Sequence, residues 1–424
     1  MKYKILFSMA FIALIPAGPI HAGQPSTAAP VRSLQPDIFS AGPVGSGQPV
    51  IQSTDPDAIL AEIEANNPEL KALTAELEAR GADNLATVAL ADPDIEFAYL
   101  FGPSEIGRRR DFSVSQSFDF ATLSGTRRKV VLQENELLAL ELRSARRDIL
   151  TSARKLICEI IARNVLIAEY AVRAEQAALV EEAYRKGMDS GAFSMLDYRK
   201  AAVDLAEAEG NLKLLETERQ SLLAELTALN GGHATDLTDT AHRMEELPGT
   251  FEDWLDKAAD NSSALAHVRA ATRLQESRLQ LSRNESLPGL SVGYMSELVP
   301  GEEFRGLKIG VSIPLWSSAR KISGARKQLE AAQIAENQAA LLFRIKAKAL
   351  YDNALQLREA ADRYDTFAYM EDTRRDLEKA LSAGNLSLLD YLTELSFFYK
   401  TLERAVETEK QYRLAVADLL ALEM

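Results

Sequence analysis

The chain has 424 residues, enough for one large or two ordinary domains. Apolar residues make up 46% and charged residues 26%, which excludes wholesale disorder; a formal net charge of −14 excludes the basic footprint of a nucleic-acid binder. The single cysteine, Cys158, excludes an internal disulfide and reads as a small buried side chain in a helix.

Lys2 and Lys4 precede an apolar run from Ile5 to Ile15, and Ala22 offers a small residue before Gly23. Residues 1–22 therefore read as a signal peptide, and export is expected. No other segment reaches about 18 uninterrupted apolar residues, so no helical membrane anchor is expected. Residues 23–54 are rich in Pro, Gly and Ser and read as an extended tail.

Residues 55–230 read as a first structural repeat. A short helix begins near Asp57, and Asn67-Pro68 caps and opens another that reaches about Ala91. Then the period changes. Ile95, Phe97, Tyr99 and Phe101 alternate with other residues, and so do Phe112, Val114, Phe118 and Phe120 against Ser113, Ser115, Ser117 and Asp119. This predicts a β-hairpin over about 94–120 with one apolar face, with Arg108-Arg109-Arg110 in its outer loop. A helical hairpin follows over about 126–230. Its first helix carries the stripe Ile149, Ala153, Leu156, Ile160, and its second carries Leu205, Ala208, Leu212, Leu215, Leu222, Leu226 and Leu229, interrupted by Arg219.

Residues 231–262 read as an irregular linker with a short helix around Phe251–Ala259, and 263–424 as a second repeat that opens with a helix over about Ser263–Arg283. It has a β-hairpin over about 288–316 and a helical hairpin over about 318–424. Leu307, Ile309, Val311 and Ile313 alternate with Lys308, Gly310 and Ser312. An uninterrupted helix is expected from about Ser318 to Ala380, then one with Phe398, Ala405, Tyr412, Leu419 and Leu422 on a stripe.

The tips of the two helical hairpins, about 188–194 and 382–388, carry one pattern twice. Gly191, Ser194, Leu196, Asp197 and Tyr198 return as Gly384, Ser387, Leu389, Asp390 and Tyr391 at a constant offset of 193 residues. Gly ends one helix, Ser caps the next, and Asp suits the positive end of the helix dipole. The chain is a tandem duplication.

Strands of 8–11 residues match a tilted crossing of an outer membrane, and Tyr99, Phe101, Phe304 and Trp316 lie near strand ends, where aromatic girdles belong. Four strands cannot close a barrel, so several copies must assemble; three copies give twelve strands and two give eight. The fold class is mainly α with a transmembrane β part.

With these tips, the Ser115-Gln116-Ser117-Phe118-Asp119 strand end before Gly125-x-Arg127, and Gly310-Val-Ser-Ile-Pro-Leu-Trp316, the sequence resembles the TolC-like family of outer-membrane efflux channels. The resemblance runs from Asn67 to the C-terminus. It implies a homotrimer in the outer membrane of a Gram-negative bacterium: a 12-stranded β-barrel continued by a periplasmic α-helical barrel, with residues 231–262 in an equatorial belt. It also implies a periplasmic adaptor, an inner-membrane pump of the RND type, and outer-membrane lipid as partners. The function implied is a passive export duct, in the metal-cation or drug branch. A type I secretion duct and a non-conducting periplasmic coiled-coil scaffold are the alternatives.

Residue by residue, the resemblance makes Asp390, Tyr391, Asp197, Tyr198 and Arg199 candidates for the pore constriction and gate. A second pore aspartate of some members falls at Thr393, where this chain departs from the pattern. Gly187, Gly191, Ser194, Leu196, Gly384, Ser387 and Leu389 are candidates for the adaptor-docking tips. No nucleotide loop, nucleophile elbow or metal pair is present, and His21, His233, His242 and His267 are scattered, so neither an enzyme nor a cofactor is expected.

Overall fold

The computed structural model describes residues 55–103, 107–241, 247–314, 318–364 and 370–424. The expected signal peptide and tail, with His21, His242 and Trp316, lie outside the described residues.

Two short helices lead in. α1 (Pro56–Asn66) starts behind Asp55, and α2 (Pro68–Ala86) behind Asn67, whose side chain accepts from the Leu70 amide at 2.9 Å. Each has proline in its first turn, where a missing N–H costs nothing. α2 ends five residues short of the expected Ala91; its last turns bury no side chain.

The four strands, β1 (Asp94–Phe101), β2 (Arg108–Phe118), β3 (Gly289–Val299) and β4 (Glu302–Ser312), form one antiparallel sheet in the order β1-β2-β3-β4. The register gathers the apolar residues on one face. Ile95 lies beside Val114, Phe97 beside Phe112, Val114 beside Tyr294, Phe118 beside Leu290, Val292 beside Ile309 and Tyr294 beside Leu307. Most of this face is exposed; Leu307 is 82% exposed. The opposite face carries Ser113, Ser115, Ser117, Ser291, Gly293, Lys308 and Gly310.

Three expectations for the strands need correction. Arg108, Arg109 and Arg110 are not in a loop: they open β2, paired with Phe101, Leu100 and Tyr99. The loop is closed earlier, by the Gly102 amide donating to the Gly107 carbonyl at 3.0 Å, with Gly107 at φ +81. Backbone pairing holds the charged residues in the ladder. Phe120 begins the short helix α3 (Phe120–Leu123), because the Asp119 carboxylate accepts from the Thr122 amide at 2.7 Å and turns the chain. Phe304 lies beside Glu297 on the polar face, three residues from Leu307 and so of opposite parity.

The helical part consists of α4 (Thr126–Asp189), α5 (Met195–Leu229), α6 (Phe251–Asn261), α7 (Ser263–Asn284), α8 (Ser318–Asp362), α9 (Met370–Ser382) and α10 (Leu388–Leu420). α4 has 64 residues, a rod of about 95 Å. α5 packs on α4, α4 on α7 and α10, and both of those on α8, so α5 and α8 form the two sides of the layer.

Among the described residues, the expected helix over 318–380 is represented by α8, which ends at Asp362, and α9, which begins at Met370. No glycine or proline breaks it. The last fully buried side chain of α8 is Ala354, and Leu357, one turn on, still packs against the Trp254 cluster.

The stripes read from sequence meet in three clusters. Ile149, Ala153, Ile157 and Ile160 of α4 bury against Ile59, Ile63, Leu70 and Leu226. Trp254 of α6 packs with Phe343, Tyr351, Tyr412 and Leu419. Near the tips, Leu166, Tyr170 and Ala201 meet Tyr391, Leu395, Phe398 and Tyr399. Cys158 is buried, and burial pushes its thiol up to about 12.

Arg219, the polar interruption in the α5 stripe, ties the linker down. It donates to Asn164 Oδ1 at 2.6 Å, to the Leu237 carbonyl at 3.0 Å and to Asp236 Oδ1 at 2.8 Å. At the strand-to-helix junction, Arg127 pairs with Glu285 at 3.1 Å, and Asn284 donates to Thr126 Oγ1 at 2.6 Å. These contacts clamp the foot of the first hairpin to that of the second.

Candidate functional site

The two tips are built alike. After α4, the Ala192 amide donates to the Gly187 carbonyl at 2.7 Å; after α9, the Asn385 amide donates to the Ala380 carbonyl at 2.9 Å. Gly191 and Gly384 take φ of +80 and +72, where a side chain would be strained. Ser194 accepts from the Asp197 amide at 3.1 Å and donates to Asp197 Oδ2 at 2.6 Å. Ser387 does the same for Asp390, at 3.2 and 2.6 Å. The Ser194 bond holds the Asp197 carboxyl below its ordinary value, with Lys200, 3.7 Å away, acting in the same direction.

Their surfaces differ. In the first tip Phe193 stacks on Tyr184, ring centroids 4.3 Å apart, and lies over Gly187. A Cβ at Gly187 would sit 2.2 Å from Phe193 Cδ2, so only glycine admits the ring. Phe193, Met195 and Leu196 are exposed and make an apolar cap. In the second tip Leu389 and Asp390 are exposed, but Leu388 is buried against the first hairpin.

Tyr391, expected at the gate, is only 2% exposed and belongs to the core between the hairpins. Burial pushes its phenol up to about 12. Packing of α10 onto α4 and α5 draws the ring inward, whereas Tyr198, at the same place in the first tip, is half-buried. Among the described residues, no hydrogen bond or ion pair joins Asp197, Tyr198 or Arg199 to Asp390 or Tyr391. A single chain does not bring the expected latch together.

The contacts that do join the hairpins lie about 15 to 30 Å above the tips and were missed by sequence reasoning. Arg173 of α4 pairs with Asp204 of α5 at 3.3 Å, with side chains 6% and 11% exposed. Its guanidinium lies 4.7 Å from the ring centroid of Tyr399 and 5.6 Å from that of Tyr170. The Tyr170 hydroxyl donates to Glu403 on α10, and that of Tyr399 to the Glu169 carbonyl at 3.5 Å. Burial raises the Asp204 carboxyl despite the opposing pull of Arg173. A signal was available. Leu166, Tyr170, Arg173 and Ala177 are one buried stripe, and Asp204 lies between the buried Ala201 and Ala208 on another. Arg173 and Asp204 lie on facing stripes of one antiparallel hairpin, which brings them together although Arg173 is the farther from the turn.

Among the described residues there is no group of three or more His, Cys, Asp or Glu side chains able to hold a metal ion. None of the helices searched is long and apolar enough to cross a membrane.

No family model matches the chain. Its fold is shared over nearly its whole length by solved membrane proteins. A membrane protein from Pseudomonas aeruginosa superposes with a TM-score of 0.72 at 12% identity, covering 90% of this chain and 95% of that one. The outer-membrane channel CmeC of Campylobacter jejuni superposes with a TM-score of 0.68 at 12% identity, covering 87% and 85%. The chain therefore has the fold of the TolC-like outer-membrane channels, as the tips and strands led us to expect, and these neighbours are membrane and channel proteins rather than enzymes. In sequence, it is similar to the cobalt-zinc-cadmium resistance protein CzcC of Cupriavidus metallidurans, 28% identical over 158 residues. That match spans 36% of this chain and 38% of that protein.

Proposed function

We propose that the chain is one subunit of an outer-membrane efflux channel, a passive duct closed by three copies. The observation that carries this reading is a shared pair of open sides. The sheet ends in β1 and β4, which have no further strand partner among the described residues, and the helical layer ends in α5 and α8. Val203 and Leu214 on α5, and Ile334, Leu341 and Ile345 on α8, are exposed apolar residues suited to a neighbouring copy. Three copies give twelve strands, enough for a closed barrel with the apolar face toward lipid. Strands of 8 to 11 residues are long enough for a tilted crossing.

In this arrangement the helices extend into the periplasm, residues 231–262 form a belt, and residues 1–22 are removed on export. The first tip, with Gly187 beneath Phe193 and with Leu196 exposed, docks to a periplasmic adaptor, joined by Leu389 of the second tip. The adaptor links to an RND-type pump, which supplies the energy. Asp390, exposed at the start of α10, contributes one carboxylate per chain to a ring at the entrance; Asp197, Tyr198 and Arg199 meet its neighbourhood across copies. The likeness to CzcC favours metal cations as cargo.

A ring of carboxylates raises the local cation concentration. In planar bilayers, the wild-type channel is expected to conduct and to prefer cations. Asp390→Asn keeps conductance measurable and reduces the preference by several-fold. Unchanged preference would remove Asp390 from the pore, and absence of any conductance from the purified protein would sink the channel reading.

A further inference from the structure

Alternation in β2 separates three consecutive arginines. Arg109 turns to the polar face, where it pairs with Asp111 at 2.9 Å and Glu297 at 3.1 Å. Arg108 and Arg110 share the apolar face with Phe97, Tyr99, Phe101 and Phe112. Both are exposed, and neither makes an ion pair among the described residues. Arg108 donates to the Tyr99 hydroxyl at 3.0 Å, which orients its guanidinium. The neighbouring acid on this face, Glu303, is occupied by Arg305 through contacts of 2.6 and 2.8 Å. Among the described residues, the loop end of the apolar face therefore carries two arginines that make no ion pair.

Its height matters. Arg110 and Phe118 are separated by eight residues of strand, about 26 Å along the chain, or about 19 Å across a membrane at a tilt near 45°. The outward apolar band of such barrels is about 25 Å tall; with Phe118 at its lower edge, Arg110 stands in the upper quarter of the band and Arg108, two residues on, at its margin. A lipid-facing arginine is costly at the midplane and tolerated at the margin, where head groups replace acyl chains. The planar guanidinium fork matches phosphate oxygens.

We propose that Arg108 and Arg110 form a binding site for the phosphate groups of an anionic glycolipid of the outer leaflet. The site rests on reading the sheet as part of an outer-membrane barrel with its loops facing outward. Arg110 and Arg108 hold phosphate, Tyr99 fixes Arg108, and Phe97 and Phe112 line the path of the acyl chains.

The test uses the full chain purified in a neutral detergent. It is titrated with a bisphosphorylated acylated glucosamine disaccharide (lipid A) and with its dephosphorylated form, and bound lipid is counted by native mass spectrometry. The wild type is expected to prefer the phosphorylated form by about tenfold, as two charge-assisted contacts allow. R108S/R110S loses the preference. R109S, whose guanidinium faces the other way, keeps it. Should the double variant fail to fold, Arg110→Gln, which breaks no ion pair among the described residues, is expected to weaken the preference alone. Equal binding of both lipids by the wild type, or an undiminished preference in R108S/R110S, would overturn the site. Displacement of the lipid by millimolar inorganic phosphate would mark a bare anion site and overturn the lipid assignment. Membrane fractionation separates the two levels. Protein in the outer-membrane fraction without phosphate preference loses only this inference; protein in the soluble fraction loses the barrel reading itself.

Discussion

Arg173→Ala is expected to lower the stability of the helical hairpins by roughly 3–5 kcal/mol, read as a fall in the midpoint of thermal or urea unfolding followed by helical circular dichroism. The substitution leaves Asp204 buried without its partner at 3.3 Å and removes the cation from above Tyr170 and Tyr399. The pH dependence gives the cause. Asp204 is raised above its ordinary value in the folded chain, first by burial, so its contribution to stability is greatest when it is protonated and falls as pH rises through the raised value. Without Arg173 that value rises further. The deficit of the variant should therefore be largest near neutral pH and shrink toward pH 4. A double replacement, Arg173→Met with Asp204→Leu, removes both charges and should recover most of the loss. A deficit independent of pH, or no recovery in the double variant, would show that shape rather than charge is lost.

The second large effect concerns the sheet. Ile309 lies beside Val292 in the middle of the apolar face and is largely exposed in the single chain. Ile309→Arg places a guanidinium where the barrel reading puts lipid. The expected penalty is about 2–4 kcal/mol per chain at the membrane midplane, repeated in every copy of the assembly. The variant should disappear from the outer-membrane fraction and lose any heat-modifiable oligomer on a gel. Lys308, the preceding residue, points to the other face, beside Gly293. Lys308→Ser should leave membrane recovery unchanged. Equal loss in both variants would mean that the two faces do not see different solvents.

The contrast between these residues explains which parts of the molecule the sequence discloses. Local chemistry is easily read. Ser194 and Ser387 cap their helices through the same atoms, and Gly191 and Gly384 both need positive φ. Period-two alternation placed Ile309 and Val114 on the apolar faces of their strands. The same alternation, counted back from Leu307, also placed Phe304 on the polar face, but its aromatic ring had suggested a girdle. The end of α8 at Asp362 had no local signal, since neither glycine nor proline follows it directly. The inequality of the tips was equally silent. Tyr198 and Tyr391 occupy identical motif positions, yet only Tyr391 has a second hairpin packed over it. Arg173 and Asp204 were legible in principle, as opposite charges on the facing stripes of one antiparallel hairpin.

The central claim is that the chain completes its barrel and its helical tube only with other copies of itself. The most direct measurement is the mass of the purified, detergent-solubilised assembly, determined by native mass spectrometry after release of the detergent. The full-length chain has a mass of 46.6 kDa, and the account predicts a single species of three chains, each shortened by its signal peptide. A stable monomer or dimer that still partitions into the outer membrane would contradict it.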